Sequence, residues 1–158
     1  MRIGVLSDTH GHLDPRVLEI FAGVQRIFHA GDIGGLDEVT QLEAVAPVVA
    51  VRGNGDGARL LDRYPEIEIV WLEGKKILLA HIADPLELLY PLLKGNGPLE
   101  SFDLVIHGHT HTPEIRERGG TLFFNPGAAV RKMCFLYPTV GLITLEEDRV
   151  EGEIVYLA

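Results

Sequence analysis

Carboxylates and imidazoles recur in this chain at spacings that suit a metal centre. Asp8, His10 and His12 fall in Ser7-Asp8-Thr9-His10-Gly11-His12, Asp32 follows Gly31, and His109 and His111 fall in His107-Gly108-His109-Thr110-His111. Asn54 lies in Gly53-Asn54-Gly55-Asp56-Gly57, and His81 ends an apolar run. Carboxylate, imidazole and amide oxygen without thiolate suit Mn²⁺, Fe²⁺ or Zn²⁺ better than Ca²⁺ or a purely structural zinc. Asp8, His10, Asp32, Asn54, His81, His109 and His111 are too many donors for one small ion. They suit two, especially if one carboxylate bridges. A histidine after an apolar strand is otherwise more often a hydrogen-bonded core or loop residue, and His29 and His107 are read that way.

These donors stand where predicted strands end. Ile3 to Leu6, Arg26 to Ala30 and Pro47 to Val51 are apolar runs closed by polar, glycine-rich turns. Between them, Asp14-Pro15 followed by Val17, Leu18, Phe21 and Val24 predicts a helix of about three turns, and Asp37 to Val45 predicts a weaker one. The first third is therefore βαβαβ-like, and in open α/β sheets ligands collect beyond the carboxyl ends of the strands. Ile67 to Leu72 and Lys76 to Ala80 form a predicted hairpin turning at Glu73-Gly74. Asp84-Pro85 with Leu86, Leu89, Tyr90 and Leu93 predicts a further helix before Gly95, and Leu104 to Ile106 is a short strand. The remainder reads as strands turning at Gly119-Gly120 and at Glu146 to Asp148. This order predicts one domain of two packed sheets with helices outside.

Composition narrows the function. The 158 residues are 46% hydrophobic, enough for a substantial core, and the net charge of -9 argues against bulk nucleic-acid binding. Cys134 is the only cysteine, so neither an internal disulfide nor a cysteine zinc cluster is expected. Met1 and Arg2 lead directly into the first strand and no apolar run approaches the ~18 residues of a membrane span, so a cytoplasmic protein with no membrane partner is expected. Apolar residues from Met133 to Pro138 are read as a buried loop, with a homo-oligomer contact as the alternative.

The motifs together resemble those of the calcineurin-like metallophosphoesterases, in particular the group of small phosphodiesterases that also includes the metallophosphoesterase-like subunit of retromer. Ser7-Asp8-Thr9-His10-Gly11, Gly31-Asp32, Gly53-Asn54-Gly55-Asp56, His81 and Gly108-His109-Thr110-His111 resemble the five family motifs in order, and Asn125-Pro126-Gly127-Ala128 resembles a further Asn-Pro-Gly-Ser segment. The resemblance implies a four-layer α/β/β/α sandwich. It implies two divalent ions, manganese first, with zinc, iron(II) or nickel as alternatives. Asp8, His10 and His111 would hold one ion, Asn54, His81 and His109 the other, and Asp32 would bridge. Two such ions ~3.5 to 4 Å apart activate a bridging water as hydroxide and clamp the phosphoryl oxygens. The implied activity is hydrolysis of a small phosphodiester, with Asp32, Asn54 and His109 acting through the metals.

Two departures matter for mechanism. Gly55 stands where many relatives carry a histidine that assists the leaving group, which leaves His12 as the candidate acid, and His81-Ile82-Ala83 stands where His-Gly-His is common. Two other functions compete. Gly53, Gly55 and Ala58 fit G-x-G-x-x-G/A, with Glu73 20 residues beyond Gly53, as in a dinucleotide site. The retromer likeness also admits a non-catalytic, metal-binding interaction module.

Overall fold

The computed structural model describes residues 1–131 and 137–157. Its strands are β1 (Arg2–Leu6), β2 (Arg26–His29), β3 (Val48–Ala50), β4 (Ile67–Leu72), β5 (Lys75–Ala80), β6 (Leu104–Ile106), β7 (Glu114–Arg118), β8 (Thr121–Asn125), β9 (Thr139–Glu146) and β10 (Arg149–Tyr156). They form two mixed five-stranded sheets, ordered β10-β9-β1-β2-β3 and β4-β5-β6-β8-β7. In the first sheet β1, β2 and β3 run parallel, and in the second β5, β6 and β8 do. The antiparallel hairpin strands lie at the edges, as expected for segments joined by tight turns.

The sheets pack face to face over Ile3, Val5, Phe28 and Ile143 from one and Ile77, Leu79, Ile106 and Phe124 from the other. Alternate residues of the same strands point outward, because side chains alternate faces along a strand. On the first sheet Leu6, Ile27 and Leu142 pack with Val17 and Phe21 of the α1 segment and Leu42 of α2, where α1 is Pro15–Ile20 and α2 is Leu36–Glu43. A third helix, α3 (Ala58–Arg63), leads from β3 toward the second sheet. Two mixed sheets flanked by helices bear out the expected class.

Two predicted helices change. Asp14 caps α1 by accepting from the Arg16 amide and Pro15 starts it, but the helix stops at Ile20 and the chain turns through Gly23 at φ 84°. Val24 still reaches the core, so its periodicity reports burial rather than a third helical turn. The helix expected after Asp84-Pro85 is instead a pair of 3₁₀ turns, Leu86–Leu88 and Tyr90–Leu93. Pro91 has no amide to give an i→i−4 bond, so a regular helix cannot run through it. Leu89 and Leu93 nevertheless pack beneath β5 and β6 with Leu99 and Phe102, so this outer layer is made of short turns.

Residues 133–136 of the apolar stretch, Cys134 among them, lie outside the described residues. At its end, Tyr137 is exposed and meets Tyr156 edge-on, with ring centroids 6.3 Å apart.

Candidate metal centre

The turns after the parallel strands are stitched together by backbone hydrogen bonds. Asp8 donates to the Gly31 carbonyl at 3.0 Å, His10 to that of Asp32 at 3.0 Å and Gly108 to that of His81 at 3.0 Å. Asp8, His10, Asp32, His109 and His111 all adopt left-handed backbone, with φ between 49° and 69°. Non-glycine residues take this conformation uncommonly, and Asp and His are among the types that tolerate it. Five such residues in one place indicate that the surrounding turns impose it.

The result is a compact cluster. Donor atoms of Asp8, His10 and His111 lie within 4.8 Å of one another, as do those of Asp8, Asp32 and His81. Asp8 Oδ1 stands 3.1 Å from His111 Nε2, 3.6 Å from His10 Nε2 and 3.9 Å from His81 Nε2. Asp32 Oδ2 stands 3.8 Å from His10 Nε2 and 3.4 Å from His81 Nε2. Each carboxylate therefore faces histidines of both groups. The His109 ring falls outside both groups but packs edge-on against His81, centroid to centroid 5.2 Å. Asn54 is exposed and lines a cleft with His81.

Electrostatics make the cluster a cation receptor. Asp8 and Asp32 are both buried. Burial raises the Asp32 carboxyl, but the His81 ring, the Gly55 amide and His10 outweigh it and hold it below the usual carboxylate range. Burial lowers the His81 imidazolium, but Asp32 and Asp8 outweigh it and hold it above its usual value. His81 Nδ1 donates to the Ala30 carbonyl at 2.7 Å, while Nε2 is buried with no hydrogen-bond partner among the described residues. A histidine anchored in this way through one nitrogen presents the other as a ligand. A divalent cation between Nε2 and the two carboxylates would satisfy all three, so the donor set fits the metal that the chemistry requires.

The other singled-out residues add no donor to the two groups of this cluster. His29 is fully buried between the Thr9 hydroxyl at 3.0 Å and the Gly31 amide at 3.2 Å, the satisfied core histidine expected of it. His107 is buried too, and burial pushes its imidazolium down. His12 is exposed and lines a groove with Thr9 and His10. The Gly53-to-Ala58 loop is not open to a pyrophosphate. The Gly53 amide donates to Asp56 at 2.8 Å and the Gly55 amide to Asp32 at 2.7 Å, and Glu73 sits in the β4–β5 turn of the other sheet.

The motifs include several residues whose supporting roles escaped sequence reasoning. Ser7 Oγ donates to Asp8 Oδ2 at 2.7 Å, and the His109 amide donates to the same oxygen at 3.2 Å. Asn125 Nδ2 donates to the Gly108 carbonyl at 3.2 Å and to Thr110 Oγ1 at 2.9 Å, bracing the turn that carries His109 and His111. Gly108 and Gly53 are needed for close approach: a β-carbon would fall 2.0 Å from Ser7 Oγ at the first and 2.1 Å from Asp32 Oδ1 at the second. The adjacency of Ser7 to Asp8 and of glycine to His10, Asp32, Asn54 and His109 was the available signal.

The family model for the calcineurin-like phosphoesterase superfamily domain matches residues 1–148. The chain is a calcineurin-like phosphoesterase. This phosphoesterase is 32% identical over 166 residues to a “Probable metallophosphoesterase” of Methanothermobacter thermautotrophicus, covering 98% of the chain and 92% of the relative. It is 34% identical to the phosphodiesterase YfcE of Escherichia coli K12, covering 81% and 79%. The fold is also that of Vps29 from Entamoeba histolytica, with a TM-score of 0.77 at 23% identity and 100% of both chains covered.

Proposed function

We propose that this phosphoesterase is a dinuclear-metal phosphodiesterase acting on a small phosphate ester in the cytoplasm. The observation that carries the reading is the pair of buried carboxylates, Asp8 and Asp32, each facing histidines of both donor groups. Asp8, His10 and His111 would hold one divalent cation, His81 with Asn54 and His109 would hold the second, and Asp32 would serve both. When bound, such cations acidify water and neutralise phosphoryl oxygens. Manganese is the first candidate on the family resemblance, and nitrogen and oxygen donors with no thiolate admit it beside zinc and iron(II).

The chain's own contribution is positioning. Ser7 and the His109 amide orient Asp8, the Gly55 amide orients Asp32, and the Ala30 carbonyl fixes the tautomer of His81. The His81 Nδ1 proton is committed to that carbonyl, so it is not a proton source for a departing alcohol. Gly55 brings no acid either, and His12 is the remaining candidate on the His10 side.

The likeness to Vps29 favours a second reading, an interaction module without turnover. A buried cluster of two carboxylates and their facing imidazoles has little use in a scaffold, since taking charges out of water costs the fold stability even when they are paired. Hydrolysis of an activated aryl phosphodiester by chelator-stripped protein, with and without Mn²⁺, decides between them. Turnover restored by the metal and abolished in Asp32→Ala is expected; its absence with every divalent ion tried would favour the module.

A further inference from the structure

A cleft of about 370 Å³ opens beside the metal centre, with Asn54 and His81 in its wall. Leu61 of α3, Ile82, Leu88 and Leu92 supply its apolar surface. Leu61 and Leu88 are 45% and 50% exposed. A single exposed leucine is ordinary. Here the leucines come from separate elements and converge on one cleft continuous with the donor cluster.

Two of the polar groups of the same wall bond within the protein. Arg52 Nη1 donates to the Tyr64 carbonyl at 3.0 Å. Asp56 accepts from the Gly34 amide at 3.0 Å and from Gly53 at 2.8 Å. Glu66, exposed in the lining, opposes an anionic ligand. Beyond the metal centre, the cleft therefore offers an entering group mainly apolar contact.

We propose that this cleft receives an uncharged, apolar ester arm of the substrate, an aryl group or an alkyl chain of roughly six carbons, while the phosphoryl group lies at the Asp8–Asp32 cluster. The assignment rests on the phosphodiesterase reading and adds the class of alcohol. Leu61 and Leu88 are then specificity-determining residues. The cleft has the size and mixed lining of a small-molecule site. Asn54 and His81 join its apolar part to the place where a phosphate would bind.

The test compares O-methyl and O-hexyl methylphosphonate, unreactive monoanions shaped like a phosphodiester, by calorimetric titration of the Mn²⁺-loaded protein. A fully buried methylene changes affinity about fourfold. In a cleft open to solvent about half of that free energy, or about twofold per methylene, is expected, so the hexyl ester should bind about thirtyfold more tightly. In the Leu61→Ser/Leu88→Ser variant that ratio should fall below about fivefold. Taking the ratio within one protein cancels any general loss of binding. A ratio near one in the unaltered protein, with the methyl ester still bound, would overturn the arm assignment and leave the phosphodiesterase reading standing. A thirtyfold ratio retained by the variant would also overturn it. Failure of both esters to bind would overturn the phosphodiesterase reading and the arm with it.

Discussion

Replacing Ser7 with Ala probes how Asp8 is held. Asp8 Oδ2 accepts from the Ser7 hydroxyl at 2.7 Å and from the His109 amide at a longer 3.2 Å, so Ser7→Ala removes the shorter bond. A hydrogen bond to a charged group contributes about 1.5–3 kcal/mol, and loss of a partner behind a metal ligand typically costs about 10–100-fold in metal affinity. The apo protein should therefore lose about 1.5–3 kcal/mol in urea denaturation, and the Mn²⁺ concentration for half-maximal activity should rise by about 10–100-fold. Gly108→Ala should be worse, because its methyl would lie 2.0 Å from Ser7 Oγ and 2.9 Å from Asp8 Oδ2. In the double variant Ser7→Ala/Gly108→Ala the closest approach at residue 7 relaxes from 2.0 Å at Oγ to 2.9 Å at Cβ, so it should bind Mn²⁺ better than Gly108→Ala alone. Additive losses would refute a steric coupling, since residues in contact should be non-additive. A Ser7→Ala protein with unchanged metal affinity and stability would refute the positioning role itself.

Burial holds His29 neutral, lowering its pKa from the ordinary 6.5 to about 3. Unfolding lets it take up a proton below about pH 6.5, so its stabilising effect is fully present above that value and declines as the pH falls toward 3. Thermal melts of chelated protein should show a shallower loss between pH 7 and 5 in His29→Gln, and an unchanged slope would count against this account. A β-carbon on Gly141 would fall 2.3 Å from the Phe124 ring; Gly141→Ala should lose about 1–3 kcal/mol in denaturant, part of it recovered by Phe124→Leu, and full stability would contradict the packing. With Gly55 offering no acid, hydrolysis of aryl phosphodiesters should depend steeply on leaving-group pKa, and a flat plot would point to an acid in the site, with His12→Ala the next variant to assay.

The frame of the molecule was legible because most parallel strands are short apolar runs stopped by polar residues, several with glycine close by. Ile3 to Leu6 and Leu104 to Ile106 are examples. The meeting of Asp8 with His111, across both sheets, was legible only through family resemblance, since spacing along a chain does not say which strand ends share a side. The left-handed backbone of the donor residues was hidden, because Asp and His do not announce a positive φ as glycine does. The helix expected after Asp84 failed because its leucines are spaced for burial, a demand that two 3₁₀ turns around Pro91 meet as well as a helix does.

The connection from β5 to β6 and the helix α3 bear most of the apolar cleft wall, while the donors come from the turns at the strand ends, with His81 and Asn54 common to both. Chemistry and selectivity are thus inscribed on different lengths of polypeptide. If the cleft takes the ester arm, exchanging the exposed Leu61 and Leu88 while Leu89, Leu93, Leu99 and Phe102 keep the core beneath β5 and β6 should redirect such an enzyme to another alcohol without rebuilding its catalytic machinery.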